Sequence, residues 1–298
     1  MITPPYLQKG DTIGITSTAR KINPDELEFT IRFLEEKGFV IKLGSCIGKE
    51  EHQFAGTDEE RTQSINELIH DTSVKAILCA RGGYGSVRIV DQINWEGLQH
   101  APKWICGYSD VTVLHARVHT LGVASLHSTM PINFKTNTIE ALESLVLQLK
   151  GTPTSLSADT HAFNRTGTAS GQLVGGNLSI LYSLLGSQDQ LDTTGKILFL
   201  EDLDEYLYHI DRMMQALKRA GMLDDITGLV IGGMNDMNDN AIPFGSTAKQ
   251  IIANAVKEYN YPIAFNLPVG HIDDNRTLML GAEYMLEVTE RVALRFAP

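Results

Sequence analysis

Cysteine, tryptophan and clustered positive charge are what this sequence has least of. Its 298 residues include only three cysteines, Cys46, Cys79 and Cys106. An odd number of widely spaced thiols matches neither a zinc-ligand spacing nor a secreted disulfide framework. Cys79 and Cys106 lie in apolar runs and read as small buried hydrophobes, so a reducing, cytoplasmic compartment is expected. No basic run offsets a formal charge of −11. That balance argues against nucleic acid and anionic membrane as partners, because both require a cationic footprint. No apolar stretch approaches the roughly 20 residues needed to span a bilayer. The opening "MITPPYLQKGDTIGITSTARKI" lacks the basic segment and apolar core of a secretory leader, and none is expected. There is no internal repeat and no low-complexity tract.

What the sequence does have is alternation. "DTIGITST", "VIKLG", "VKAILCA" and "KWICGYS" read as strands, the last two continuously apolar. Between them lie helical patterns, "NPDELEFTIRFLEEKGF" with Asn23 at its cap position, "TDEERTQSINELIHDTS" with Thr57, and "SVRIVDQI". Continuous apolar strands alternating with helices imply a parallel sheet covered on both faces, with ligands gathering beyond the carboxyl ends of the strands. Residues 151–170 are rich in Ser, Thr, Gly and Pro and read as a crossover linker. Beyond them, "GKILFLED" and "ITGLVIGGM" are buried strands, "EYLYHIDRMMQALKRAGML" a strongly amphipathic helix, and the C-terminal stretch short strands and turns. The fold class expected is α/β: an N-terminal Rossmann-like parallel-sheet domain over 1–150 and a smaller C-terminal α/β domain over 171–298.

Several residues at these strand ends carry candidate chemistry. In "GYSDVTVLH", Ser109 follows a strand and precedes a helix. Either Ser109 or Asp110 can cap that helix. Equally, Ser109 can be a nucleophile on a sharp turn, with the Asp110 N–H aimed at an oxyanion. The elbow pattern G-x-S-x-G is incomplete, since Val111 replaces its second glycine, and spacing alone leaves the choice open. His115 and His119 lie four apart, but Ala116 stands where a metallohydrolase helix carries glutamate, so they read as one face of an ordinary helix. "NDMNDNAIPFGST" fails as a calcium loop at Ala241 and Thr247. His271 in "LPVGHIDDN" is placed on a loop. Glu201 ends the apolar run "KILFLE", where a carboxylate can orient a base or simply favour the following helix. "RGGYGS" completes neither a dinucleotide fingerprint nor a phosphate loop, and is left as an exposed turn with available N–H groups.

Together, "PPYLQKGDTIGITSTA", "FAGTDEERTQSINELIHDTSVKAILCARGGYG", "GYSDVTVLH", "LVGGNLSIL", "LFLEDLDEYLYHIDRMMQAL" and "VGHIDDN" resemble the LD-carboxypeptidase family. These are serine peptidases related to the microcin C immunity peptidases, and the likeness covers nearly the whole chain. The resemblance implies Ser109 as nucleophile, His271 as base and Glu201 as the acid orienting it. The oxyanion hole would be the N–H groups of Gly83 and Asp110. It further implies a metal- and cofactor-free homodimer acting on muropeptides, releasing the terminal D-alanine of murein tetrapeptide during cell-wall recycling. Arg81 and Arg276 are candidates for holding a terminal carboxylate because each neighbours a site segment. A microcin-type immunity peptidase cleaving a peptidyl-nucleotide amide is the runner-up. It calls for an aromatic platform, which Trp95 and Trp104 do not obviously supply. A non-catalytic, two-lobed small-molecule binding module is the reading from another class, and predicts affinity that survives Ser109→Ala.

Overall fold

The structure is a computed structural model and describes residues 1–297. Its thirteen strands run Thr12–Thr16 (β1), Val40–Leu43 (β2), Val74–Cys79 (β3), Trp104–Gly107 (β4), Ser125–His127 (β5), Leu156–Asp159 (β6) and Gly167–Asn177 (β7). They continue through Ile197–Leu203 (β8), Gly228–Asn235 (β9), Ile263–Ala264 (β10), Leu278–Leu280 (β11), Glu283–Val288 (β12) and Arg291–Phe296 (β13). The chain divides into two compact units. One comprises 1–153 with 276–279, the other 154–275 with 280–298.

The first unit is built on a six-stranded sheet in the order β11-β5-β4-β3-β1-β2, with β1 to β5 parallel. This order is that of a doubly wound sheet whose winding reverses between β1 and β3, so that the loops after those two strands flank an open crevice. Both faces are covered, which explains the unbroken apolar strands: Ile13, Ile15, Ile77, Leu78, Trp104 and Ile105 are all buried. The helix Asp58–His70 starts as its sequence predicts. Thr57 Oγ1 accepts from the Glu60 N–H, and Glu60 returns a bond to the Thr57 N–H. "SVRIVDQI" differs from expectation, since only Ser86–Ile89 is helical.

The second unit holds a seven-stranded mixed sheet, β10-β9-β8-β7-β12-β13-β6. β7 is the pivot. Its first half pairs antiparallel with β12 and its second half parallel with β8. The segment read as a linker is more than a connector, because Leu156–Asp159 joins the sheet edge as β6 against β13. The helix Leu207–Arg219 buries Ile210, Met213, Met214 and Leu217, the 3.6-residue stripe visible in the sequence. Among the described residues, no helix is long and apolar enough to cross a membrane.

Candidate active site

Ser109 stands where β4 ends. Gly107 closes the strand, Tyr108 is extended at φ −148°, and Ser109 adopts φ +63° in the first residue of a tight 3-10 turn, Ser109–Val111. The helix Thr112–Thr120 follows. A side-chain cap requires an extended backbone, and the residue with that backbone is Tyr108, so Ser109 is not the cap. A non-glycine residue in the left-handed region is unfavourable and persists only where its surroundings over-determine it.

Those surroundings are specific. Asp110, buried, turns away from its own helix: its Oδ2 accepts the Ser86 N–H at 2.8 Å. The carboxylate thereby ties the serine turn to the end of the "RGGYG" loop. Burial pushes the Asp110 carboxyl above its ordinary range, against the opposing pull of the Ser86 bonds and of Arg61 and Arg20. Arg61 is fully buried and holds the same loop, donating from Nη1 to the carbonyls of Thr18 (2.6 Å) and Gly85 (3.0 Å), with Asp58 as its ionic partner. Gly82 lies against Ser109. A Cβ on it would stand 3.0 Å from Ser109 Cβ and 3.2 Å from Oγ. Gly83, at φ +106°, lies under the Arg20 side chain, where a Cβ would meet Arg20 Cδ at 2.6 Å.

His115 lies behind this turn. Its Nε2 is 2.9 Å from the Gly107 carbonyl and its Nδ1 2.9 Å from Ser125 Oγ. Burial pushes its pKa down to about 4, so the ring is neutral near pH 7. A carbonyl can only accept, hence Nε2 carries the proton and Nδ1 accepts from the serine hydroxyl. Both ring nitrogens are therefore used in holding the strand end. Cys46, Cys79 and Cys106 are free thiols and buried.

Glu201 and His271 come together in the second unit. Glu201 is fully buried on β8, which continues to Leu203 rather than ending at the glutamate. Its Oε2 accepts from His271 Nδ1 at 2.6 Å and from the His271 backbone N–H at 3.2 Å. The approach needs Gly270, which has φ +97° and whose added Cβ would lie 2.7 Å from Glu201 Cβ and Oε2. Burial disfavours protonation of His271, but the charge and hydrogen bond of Glu201 outweigh it and raise the imidazole pKa.

Partners that the sequence did not announce hold this pair. Asn275 Oδ1 accepts the Gly270 N–H at 2.8 Å, and Asn235 donates to the His271 carbonyl at 2.6 Å. Asp202, beside Glu201, accepts from Asn177 Nδ2, Ser179 N and Leu203 N, each at 2.9 Å. Burial, and then the Glu201 charge, push its pKa up to about 7. The only sequence signal for Asn275 was its place in "VGHIDDN". Asn177 likewise had only its place in "LVGGNLSIL", and Asn235 had none.

Ser109, Asp110 and Gly83 thus belong to the first unit, and Glu201 and His271 to the second. Among solved structures, the muramoyltetrapeptide carboxypeptidase from Oxalobacter formigenes matches with a TM-score of 0.89 and 25% identity, covering 96% of this chain and 99% of that one. Fold and relatives place the chain among two-domain α/β peptidases. It belongs to the LD-carboxypeptidase family, whose N-terminal domain model matches residues 13–128 and C-terminal domain model residues 170–286. The probable murein peptide carboxypeptidase of Bacillus subtilis (strain 168) is 33% identical over 307 residues, 98% of this chain and 93% of that protein. The microcin C7 self-immunity protein MccF of Escherichia coli is 25% identical, over 94% and 92% of the two chains.

Proposed function

We propose that the protein is a serine LD-carboxypeptidase that releases the terminal D-alanine of murein tetrapeptide in the cytoplasm, as part of peptidoglycan recycling. The observation that carries this reading is Ser109 at φ +63° on the junction between β4 and its helix. A residue that merely starts a helix needs no such backbone, whereas a nucleophile lifted off the end of a strand does.

In the proposed cycle, His271 takes the Ser109 proton as Oγ attacks the scissile carbonyl. Glu201 holds the imidazole through Nδ1, which fixes its tautomer and stabilises the imidazolium that forms. The backbone N–H groups of Gly83 and Asp110 receive the oxyanion. His271 then protonates the departing D-alanine amine, and water repeats the sequence to free the tripeptide. Nothing in this cycle calls for a metal or cofactor. The family resemblance also supports a homodimer, which sedimentation of the purified protein checks.

The relatives' names support a muropeptide over a peptidyl-nucleotide. Trp104 is fully buried in β4 and Trp95 is nearly so, so neither tryptophan is available as a platform for a nucleobase. The test of Ser109 is a fluorophosphonate probe followed by peptide mapping. A single adduct on Ser109, reduced by His271→Ala, is expected. Labelling that persists in Ser109→Ala contradicts the assignment.

A further inference from the structure

An enzyme of formal charge −11 acting on an anionic peptide needs a local cation, and the first unit supplies one. The crevice of its sheet opens where the winding reverses, between the loops after β1 and β3. Arg20 is on the first of these loops and Gly83 on the second. Arg20 Cδ and Nε lie 2.6 and 2.7 Å from where a Gly83 Cβ would be, while Gly82 abuts Ser109. The Arg20 side chain therefore stands one residue along the same loop from the serine.

The Arg20 charge is felt by the buried Asp110 carboxyl, which it helps to hold down, but Arg20 makes no ion pair. Arg20 is exposed, and among the described residues no carboxylate lies within ion-pair distance of it. Its backbone is fixed, with its carbonyl accepting from Ser17 Oγ at 2.5 Å and a bridge to Phe54. The other cation of this loop, Arg81, donates Nη1 to the Lys21 carbonyl at 3.3 Å. A guanidinium is a planar fork that matches a carboxylate bidentately.

We propose that Arg20 binds the terminal carboxylate of the peptide and so restricts the enzyme to removing a single C-terminal residue. A carboxypeptidase's leaving group is one residue long. Its carboxylate is thus one residue from the bond that breaks, and consecutive Cα atoms are about 3.8 Å apart. Gly82, which abuts Ser109, and Gly83, which lies under Arg20, are likewise neighbouring residues of one loop. The inference rests on reading Ser109 as the nucleophile of a carboxypeptidase.

The test compares a tetrapeptide ending in free D-alanine with the same peptide ending in D-alaninamide. Calorimetric binding to the full chain carrying Ser109→Ala keeps turnover out of the measurement. The acid is expected to bind about tenfold to a hundredfold more tightly than the amide. Adding Arg20→Met, which keeps an aliphatic stem over Gly83 but removes the charge, is expected to bring that ratio to near one. Amide affinity should be unchanged, and Arg20→Lys should restore part of the preference. A preference that survives Arg20→Met, or no preference in the protein that has Arg20, overturns the proposal. Wild-type turnover with the preference intact in Arg20→Met removes only the role of Arg20. Loss of the preference in Arg20→Met, with no D-alanine released by wild type, removes the carboxypeptidase reading and leaves the carboxylate site standing.

Discussion

His271 sits under two opposed influences, and their balance decides at what pH it can act. Burial alone favours the neutral ring, while the Glu201 carboxylate favours the charged one and prevails, raising the pKa above the usual 6.5. A general base works only when neutral. Activity should therefore rise with pH, through an inflection in kcat/KM above 6.5. In Glu201→Gln the larger attraction is gone while burial and the weaker pull of Asp202 remain, so the inflection should move to lower pH while the maximal rate falls about a thousandfold to ten-thousandfold. A pH–rate profile of both proteins checks this, and an unmoved inflection contradicts the assigned pair. At this scale the sequence was legible in part. Glu201 and His271 are 70 positions apart, and no local spacing reveals their bond. Each stood out by its place after an apolar run, and the family resemblance joined them. The left-handed backbone of Ser109 was not legible, because serine adopts it only under tertiary constraint.

At the scale of elements, glycines set how closely each functional segment can approach its neighbour. Gly270 combines φ +97° with direct contact on Glu201. Gly270→Ala should cost about 1–3 kcal/mol of stability and abolish most activity by displacing the imidazole. Gly82 carries no such backbone constraint, and the atoms nearest a methyl there belong to the side chains of Ser109 and Met130. Gly82→Ala should therefore leave the melting temperature close to wild type and lower kcat/KM about tenfold to a hundredfold. Thermal melts alongside steady-state kinetics separate the two cases. A Gly82→Ala protein as active as wild type contradicts the placement of the serine beside that glycine. The parallel strands and the helix Leu207–Arg219 were readable because burial on both faces, or on one stripe, leaves a period in the sequence. β6 was not, because "LSAD" is a short edge strand burying only Leu156 and carries too little apolar alternation to stand out from a loop.

For the molecule as a whole, the α/β class was visible in the alternation of apolar runs and helical stripes. The strand order was not, because which strands neighbour one another is fixed by tertiary packing. The order matters for function, since it brings the loops after β1, β3 and β4 to the same sheet edge. Long segments in family order carried more information about activity than any one motif, each of which was incomplete by itself. The central claim is that Ser109, Glu201 and His271 act together on a peptide ending in D-alanine. The measurement that tests it most directly is incubation of the protein with murein tetrapeptide, following tripeptide and D-alanine by mass spectrometry. Wild type should release both in equal amounts, while Ser109→Ala and His271→Ala, folded as judged by circular dichroism, should release neither. Full activity in Ser109→Ala would contradict the account.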